Sequence, residues 1–255
     1  MKNITYLLFI SSLLLINCTD QKTSPEIEEV EKSKVDQVID RAIEWAGGME
    51  RWRSLKQLTY QKRSRLLYEN GQVEYDITQL HDYTFSPSLL MNINWDTEAG
   101  QNKMVHSDTV SYKLLNDSLI SQGNKIRESA FSALYVIGMP FKLKDPGIHL
   151  SYEGQQMFQG RTADIIKATY SPVKYKNHST SDDWWYYFDA ENSAFLGCKV
   201  YHYPTYALIE NIAFHEVEDM KFQKRRMSYR CDSLGNKQFL RAEFWYEDYD
   251  LVFNE

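Results

Sequence analysis

Apolar residues recur every three or four positions between residues 35 and 46, which is the spacing of one face of an α-helix. Ser33 comes just before this stripe as a candidate N-cap, and Gly47-Gly48 follows it as a stop signal. The pattern predicts an amphipathic helix whose apolar stripe faces the core. A short second helical segment is predicted over residues 49–55.

After this segment the alternation changes to period two, which is typical of half-buried β-strands. Residues 58–69 and 72–83 flank Asn70-Gly71, a strong signal for a two-residue β-hairpin turn. The strand pairs that this turn predicts are Tyr68 with Val73, Leu66 with Tyr75, and Ser64 with Ile77.

Short strands separated by turn residues continue to the end of the chain. They are predicted at residues 88–94, 103–107, 110–115, 118–122, 149–158, 161–170, 183–189, 194–203, 207–218, 223–231 and 238–246. Nearly all connections are short, which indicates an antiparallel meander and not a series of βαβ units. The one long polar loop, residues 171–181, is either a variable surface loop or a flap over a site.

One helix interrupts the meander. Asn124 is its candidate N-cap, residues 125–137 form its body, and Gly138-Met139-Pro140 ends it. This helix is apolar around most of its circumference. We therefore expect it to be covered on more than one side.

The densest aromatic feature is the stretch over residues 182–189, which reads Asp-Asp-Trp-Trp-Tyr-Tyr-Phe-Asp and contains the strand predicted over 183–189. Because side chains alternate along a strand, Trp184 and Tyr186 point to one face while Trp185 and Tyr187 point to the other. Two interpretations stay open: plain core packing on both faces, or an aromatic wall of a hydrophobic pocket.

The first residues have the features of a secretory signal. Lys2 supplies a positive charge and residues 4–16 are mostly apolar, a run shorter than the roughly 20 residues that span a bilayer. Leu15-Ile16-Asn17-Cys18 resembles a bacterial lipobox, where cleavage leaves a lipidated cysteine at the new N-terminus. The alternative is an ordinary signal or an uncleaved anchor in which Cys18 is incidental. We expect a signal peptide over 1–17, a tether over 18–32 and one domain over 33–255.

Composition excludes several classes of protein. With 35 Asp and Glu against 29 Lys and Arg, the net charge of -6 argues against a nucleic-acid partner. The chain is 43% hydrophobic and has 11 Gly, 6 Pro and 3 Cys, which excludes a disordered, collagen-like or disulfide-stapled protein. Aromatic residues make up 14%, and they favour strands.

No motif for catalysis, metal or cofactor binding is present. The six histidines are scattered, and HExxH, CxxC, GxGxxG, GxxxxGK[ST] and GxSxG patterns do not occur. We therefore expect no cofactor, no metal and no catalytic residue. Strand counting places Cys198 opposite Asn211. Cys198 and Cys231 then lie on either side of one intervening strand, with about 9–10 Å between them. A disulfide needs Cα atoms within about 7 Å, so two free thiols are expected.

Three stretches carry a resemblance to a known family. They are residues 46–52 (Ala-Gly-Gly-Met-Glu-Arg-Trp), residues 140–147 (Pro-Phe-Lys-Leu-Lys-Asp-Pro-Gly) and the aromatic strand 182–189. With the lipobox and the meander, they resemble the LolA/LolB lipoprotein-localisation superfamily, and more closely an uncharacterised family of bacterial lipoproteins with that fold. That family often has His where Ala46 stands here. The resemblance implies a mainly β (α+β) protein, a strongly curved antiparallel half-barrel wrapped around the N-terminal and mid-chain helices.

The resemblance also implies a hydrophobic cavity and no catalytic residues. The mid-chain helix would cover the concave face, and the residues expected to line the cavity are Phe131, Leu134, Tyr135, Ile137, Trp185 and Tyr187. The implied protein is a monomer, anchored by lipid on Cys18 in the outer membrane of a Gram-negative envelope, which binds a lipid or other hydrophobic molecule. The alternative is a structural or interaction lipoprotein whose cavity is filled by its own side chains. An envelope hydrolase is less favoured.

Overall fold

Ser33 begins the first helix, α1 (Lys34–Trp45), as the sequence predicts. Its side-chain oxygen accepts a hydrogen bond from the backbone N–H of Asp36 at 3.1 Å, which satisfies one free donor of the first turn. The predicted apolar stripe is buried in the core. A second short helix, α2 (Met49–Ser54), follows the glycine pair.

The computed structural model describes residues 32–175 and 177–254. The predicted signal peptide, Cys18 and the tether up to residue 31 lie outside the described residues. The described residues belong to a compact unit that begins at Lys32. Among them, no helix has the length and apolar character that crossing a membrane requires.

Thirteen antiparallel strands form one curved sheet in the described part of the chain. Their bounds are β1 Leu55–Leu67, β2 Val73–Thr84, β3 Leu90–Thr97, β4 Gly100–Ser107, β5 Ser111–Leu115, β6 Ser118–Gln122, β7 Ile148–Phe158, β8 Arg161–Tyr170, β9 Asp183–Asp189, β10 Phe195–His202, β11 Thr205–Val217, β12 Met220–Cys231 and β13 Lys237–Phe253. The order across the sheet is β6-β5-β4-β3-β2-β1-β13-β12-β11-β10-β9-β8-β7. The sheet stays open between β6 and β7, so the predicted half-barrel is confirmed.

The mid-chain helix, α3 (Asn124–Ile137), joins β6 to β7 and packs against β4, β5 and β6. Its N-cap is Gly123 and not the predicted Asn124, which lies inside the helix and makes no side-chain cap. After α3, a 3₁₀ turn over Phe141–Lys144 brings Phe141 onto Trp52, with ring centroids 4.9 Å apart. Two of the resembling stretches thus meet in the core.

The first hairpin has a longer turn than predicted. The Tyr68 N–H bonds to the carbonyl of Gln72 at 2.9 Å, and Gly71 adopts φ 81°, which gives a three-residue loop with a bulge. Leu67, and not Tyr68, therefore lies opposite Val73. A register shift beside Leu66 compensates, so the two inner pairs form as predicted.

The last strand is seven residues longer than its predicted end at residue 246, since β13 ends at Phe253. The register of β13 against β1 shifts between Glu247 and Asp250, and Asp248 adopts φ 54°. Tyr246 and Tyr249 consequently both reach Tyr60 on the concave face. A strict period of two cannot detect a strand that changes phase in this way.

The sheet is packed on both faces. Its concave face holds α1, α3 and the main core, with Leu58, Tyr83 and Met91 fully buried. A second cluster on the opposite face includes Phe158 and Leu208. The two described cysteines divide between these clusters: Cys198 belongs to the first and Cys231 to the second, and both are free buried thiols.

The strand partner of Cys198 differs from the predicted one. Cys198 lies opposite Ile209, two residues before the predicted Asn211. The tighter turn between β10 and β11 pairs His202 with Thr205 and sets this register.

Candidate ligand cavity

Side-chain burial marks where the helices stop covering the concave face. On β2 the inward residues Tyr83 and His81 are 0% and 1% exposed, whereas Tyr75 near the other end is 40% exposed. On the neighbouring strand β1, Leu58 is fully buried and Leu66 only half-buried. One end of the concave face is therefore filled and the other end is open.

A cavity of 590 Å³ occupies the open end, and its walls come from seven strands, β1, β2, β3, β5, β11, β12 and β13. Leu66 lies opposite Tyr75 on one side and Ala242 on the other, and cross-strand partners share a face of the sheet. The fourteen lining residues are Lys62, Ser64, Leu66, Tyr75, Ile77, Gln79, Trp95, Lys113, Ala207, Ser228, Arg230, Arg241, Ala242 and Phe244. We call this space the concave cavity.

Four cations line the concave cavity, and none of its fourteen lining residues is acidic. The Lys62 ammonium lies 5.2 Å from the ring centroid of Phe244, and that of Lys113 lies 4.9 Å from Trp95. Arg230 Nη1 donates to a threonine hydroxyl at 2.7 Å. Arg241 forms an ion pair with a glutamate carboxylate at 2.6 Å. Cations and exposed ring faces together suit an amphiphilic ligand.

An aromatic cluster of the main core follows the concave cavity along β1 and β2. Tyr60, the inward residue next to Lys62 on β1, stacks on His81 at 4.6 Å and on Tyr249 at 5.5 Å. His81 Nδ1 is 2.6 Å from the hydroxyl of Tyr83. Burial, aided by the nearby Lys62 charge, holds the pKa of His81 well below its usual range. His81 is therefore a neutral imidazole, one inward position from Gln79 of the cavity lining.

The four predicted helix residues lie in the core or at its edge. Leu134, Tyr135 and Ile137 are buried, and Phe131 is half-buried beside His106, with ring centroids 4.9 Å apart. None of the four is among the residues that line the concave cavity. Helix α3 packs mainly over β4–β6 and also reaches β12 at Gln223, which donates to the Val136 carbonyl at 3.0 Å and is not a lining residue of the cavity.

The two predicted residues of the aromatic strand face the convex side. Tyr187 stacks on Phe158 with ring centroids 4.2 Å apart, and burial raises its pKa to about 12. The Trp185 ring lies between the ammonium groups of Lys167 and Lys199, at 5.1 and 4.6 Å. Both rings belong to the second cluster. On its convex side, the aromatic strand therefore shows core packing, which is the first of its two interpretations.

The predicted surface loop or flap contributes to the core. Among its described residues, Tyr175 and His178 are 2% and 8% exposed, and each ring lies 4.8 Å from that of Tyr170. Burial lowers the pKa of His178. These two side chains anchor the loop against β8.

The part of the cavity lining that β1 supplies was missed because Lys62 and Ser64 are polar residues within an apolar series. Along β1 the inward positions read Leu58, Tyr60, Lys62, Ser64 and Leu66. This series predicts a strand, and its polar centre was the one sequence signal that the inward face opens to water there.

A groove of 520 Å³ lies on the convex side of β1–β5. Gln61, Thr78 and Leu80 contribute to it, along with the carboxylates of Asp96 and Asp117. Its lining is mainly amides and charged groups of both signs. It therefore differs from the concave cavity, whose charged lining residues are all basic.

Groups suited to catalysis or metal binding are sparse. Over residues 32–175 and 177–254, no cluster of three or more His, Cys, Asp or Glu side chains is placed to hold a metal ion. His202 Nδ1 lies 2.7 Å from Asp182 Oδ1, but this pair is at the surface, with the His202 side chain 69% exposed. Asp164 is buried, and it is held by Tyr152 and Gln155 at 2.9 and 2.8 Å.

The arrangement is that of an open antiparallel half-barrel with helices on its concave side. No protein-family model matches the sequence, and no curated protein matches it. Several solved structures share the fold. A DUF1329 family protein from Desulfovibrio piger is 10% identical with a TM-score of 0.59, and the match covers 86% of this chain and 94% of that one.

Two further solved structures share the fold at similar identity. A putative outer membrane lipoprotein-sorting protein domain from Vibrio parahaemolyticus is 10% identical with a TM-score of 0.54, covering 84% of this chain and 91% of that one. A LolA superfamily protein from Nitrosomonas europaea is 8% identical with a TM-score of 0.56, covering 88% and 96%. The chain has a LolA/LolB-like fold.

Proposed function

We propose that the protein is a membrane-anchored envelope lipoprotein that binds a lipid or another hydrophobic molecule in the concave cavity. The observation that carries this proposal is the cavity itself: 590 Å³ is within the range of about 300–1,000 Å³ of known small-molecule sites. Its apolar wall includes Ile77, Trp95 and Phe244. Binding, and not catalysis, is the proposed activity.

The anchoring part of the proposal rests on the sequence. Lipidation of Cys18 would attach the mature N-terminus to a bilayer, since more than one acyl chain gives stable anchoring. A permanent anchor fits an acceptor or sensor of lipid better than a soluble shuttle. The location proposed is the outer membrane of a Gram-negative envelope. The Vibrio relative's description as an outer membrane lipoprotein-sorting domain supports it.

A structural lipoprotein without a ligand is the second candidate. It is favoured by the helix end of the concave face, where the protein's own Leu58, Tyr83 and Tyr135 fill the space completely. The two candidates differ in whether the open end takes up a ligand.

Ligand uptake can be tested on residues 19–255, which contain the whole compact unit. Native mass spectrometry and titration with a fluorescent hexadecanoate would measure co-purified and added ligand. The variant Ala207→Trp fills the concave cavity and should weaken uptake at least about tenfold, or about 1.4 kcal/mol. The control Thr78→Trp fills the convex groove and should leave uptake unchanged. Absence of uptake by the unmodified chain would favour the structural candidate.

A further inference from the structure

We propose that the ligand of the concave cavity is an amphiphile with an anionic head group, held by Lys62, Lys113 and Arg230. This inference rests on the proposed function and specifies its ligand class. The three residues come from β1, β5 and β12, which lie in different parts of the cavity wall. In this proposal the cations contact the head group and the apolar lining residues contact the chain.

The charge of the cavity is opposite to that of the chain. The protein has 35 acidic and 29 basic side chains, yet the fourteen lining residues include four Lys or Arg and no Asp or Glu. A solvated surface of such a chain would carry carboxylates among its cations. Concentrated positive charge on low-dielectric walls attracts anions.

The inward cations also differ from the outward cations of the same sheet. On the convex face Arg63 pairs with Asp76 at 2.6 Å, and Arg65 and Arg225 both pair with the buried Glu243. Within the described residues, the proposed head-group cations form no ion pair with a carboxylate. Their positive charges are therefore available to a ligand.

The hydrogen-bonding capacity of these cations is largely unfilled. An ammonium has three donors and a guanidinium five. Lys62 and Lys113 lie over the rings of Phe244 and Trp95, and Arg230 gives one Nη1 bond to Thr205. Ring faces leave ammonium donors free on the cavity side, where a carboxylate or phosphate could accept them.

A buried guanidinium behind the wall adds to the positive potential. Arg226 is 7% exposed and lies two residues before Ser228 on β12, which lines the cavity. Its Nη1 donates to the Tyr246 hydroxyl at 3.4 Å, and its Nε has no hydrogen-bond partner. Among the described residues no carboxylate pairs with it. A ligand anion in the concave cavity would offset part of this charge.

The test compares charged and neutral probes of equal chain length on residues 19–255. Fluorescently labelled hexadecanoate and hexadecanol are titrated into the unmodified chain, the variant Lys62→Gln/Lys113→Gln/Arg230→Gln, and a charge-matched control. The control, Arg63→Gln/Lys103→Gln/Lys224→Gln, removes the same number of charges outside the cavity. Circular dichroism and unfolding curves establish that all three are folded.

The unmodified chain should bind the acid at least about tenfold more tightly than the alcohol. The cavity variant should lose at least about tenfold affinity for the acid and less than about twofold for the alcohol. The control variant should retain acid affinity within about twofold, and added salt should weaken only acid binding. Displacement by unlabelled hexadecanoate or hexadecyl phosphate then identifies a carboxylate or a phosphate as the better head group.

Two outcomes overturn the inference in different ways. Equal affinity for acid and alcohol, or equal losses in the cavity and control variants, contradicts the charge selectivity and leaves hydrophobic binding intact. Failure of every probe to bind contradicts the proposed function as well.

Discussion

Three tyrosine hydroxyls form a closed triangle in the core, and removing one of them gives a measurable loss of stability. Tyr135 on α3 bonds to Tyr170 at 2.7 Å and to Tyr186 at 2.9 Å, and the latter two are 3.1 Å apart. Burial raises the pKa of all three well above the usual range, so the hydroxyls stay protonated. The triangle links α3 to β8 and β9.

The variant Tyr135→Phe removes two of the three hydrogen bonds and keeps the ring. Each bond contributes about 0.5–1.5 kcal/mol net, so the expected loss is about 1–3 kcal/mol. Tyr170 and Tyr186 still bond to each other, so neither hydroxyl is left unpaired. The ring still fills its space, and the loss should be below the roughly 3–5 kcal/mol of deleting a large aromatic side chain.

Urea unfolding of residues 19–255 measures this loss, with the slope of free energy against urea expected to stay unchanged. Tyr203→Phe is the control: Tyr203 is 80% exposed, and its change should stay within about 0.5 kcal/mol. A loss below about 0.5 kcal/mol for Tyr135→Phe would refute the reasoning, since it would mean that the triangle does not hold α3 to the sheet.

Three further predictions concern stability and reactivity. Gly47→Ala should lower the free energy of unfolding by more than about 1 kcal/mol, and Gly71→Ala should lower it by less than Gly47→Ala does. An added Cβ at Gly47 (φ 114°) meets backbone at 2.7 Å, whereas one at Gly71 (φ 81°) meets nothing within 4 Å. Equal losses in urea unfolding would contradict this. The pKa of His81 is depressed in the folded state, so below about pH 6.5 the unfolded state binds one more proton than the folded state. Stability should therefore fall by up to about 1.4 kcal/mol per pH unit. A His81→Gln variant whose stability has the same pH slope would contradict this prediction. Burial raises the pKa of Cys198 to about 11 and the pKa of Cys231 above its usual value. A thiol reagent at pH 8 should therefore label neither cysteine in the native protein and both cysteines in guanidinium. Rapid labelling of the native protein would contradict this prediction.

Local patterns were sufficient to predict most of the fold. The N-cap at Ser33 and the stripe of α1 were confirmed because a helix face and its cap depend on neighbouring residues alone. The strand bounds of β6, β8 and β9 were predicted to the residue. The exceptions include positions where the chain changes phase, such as the bulge near Asp248 and the three-residue turn at Gly71. They also include the β3–β4 hairpin, whose strands are Leu90–Thr97 and Gly100–Ser107 where 88–94 and 103–107 were predicted, since its polar tip continues the pairing.

The cavity lining could not be predicted from the same patterns. Which end of an inward-facing strand is covered depends on where helices from distant parts of the chain lie. Lys62 and Arg230 are separated widely in sequence, and the sheet order brings β1 and β12 to either side of β13. The resemblance pointed to α3 and the aromatic strand, whose Tyr135 and Tyr187 pack in the two clusters.

Photo-crosslinking tests the central claim, that the open end of the concave face is a ligand site, most directly. A hexadecanoate with a diazirine on its chain, irradiated with residues 19–255 and followed by peptide mapping, should label inward positions of β1, β2 and β13, such as Ile77 and Phe244. Labelling of convex positions such as Gln61 and Thr78, or no labelling above that of unfolded protein, would contradict the account.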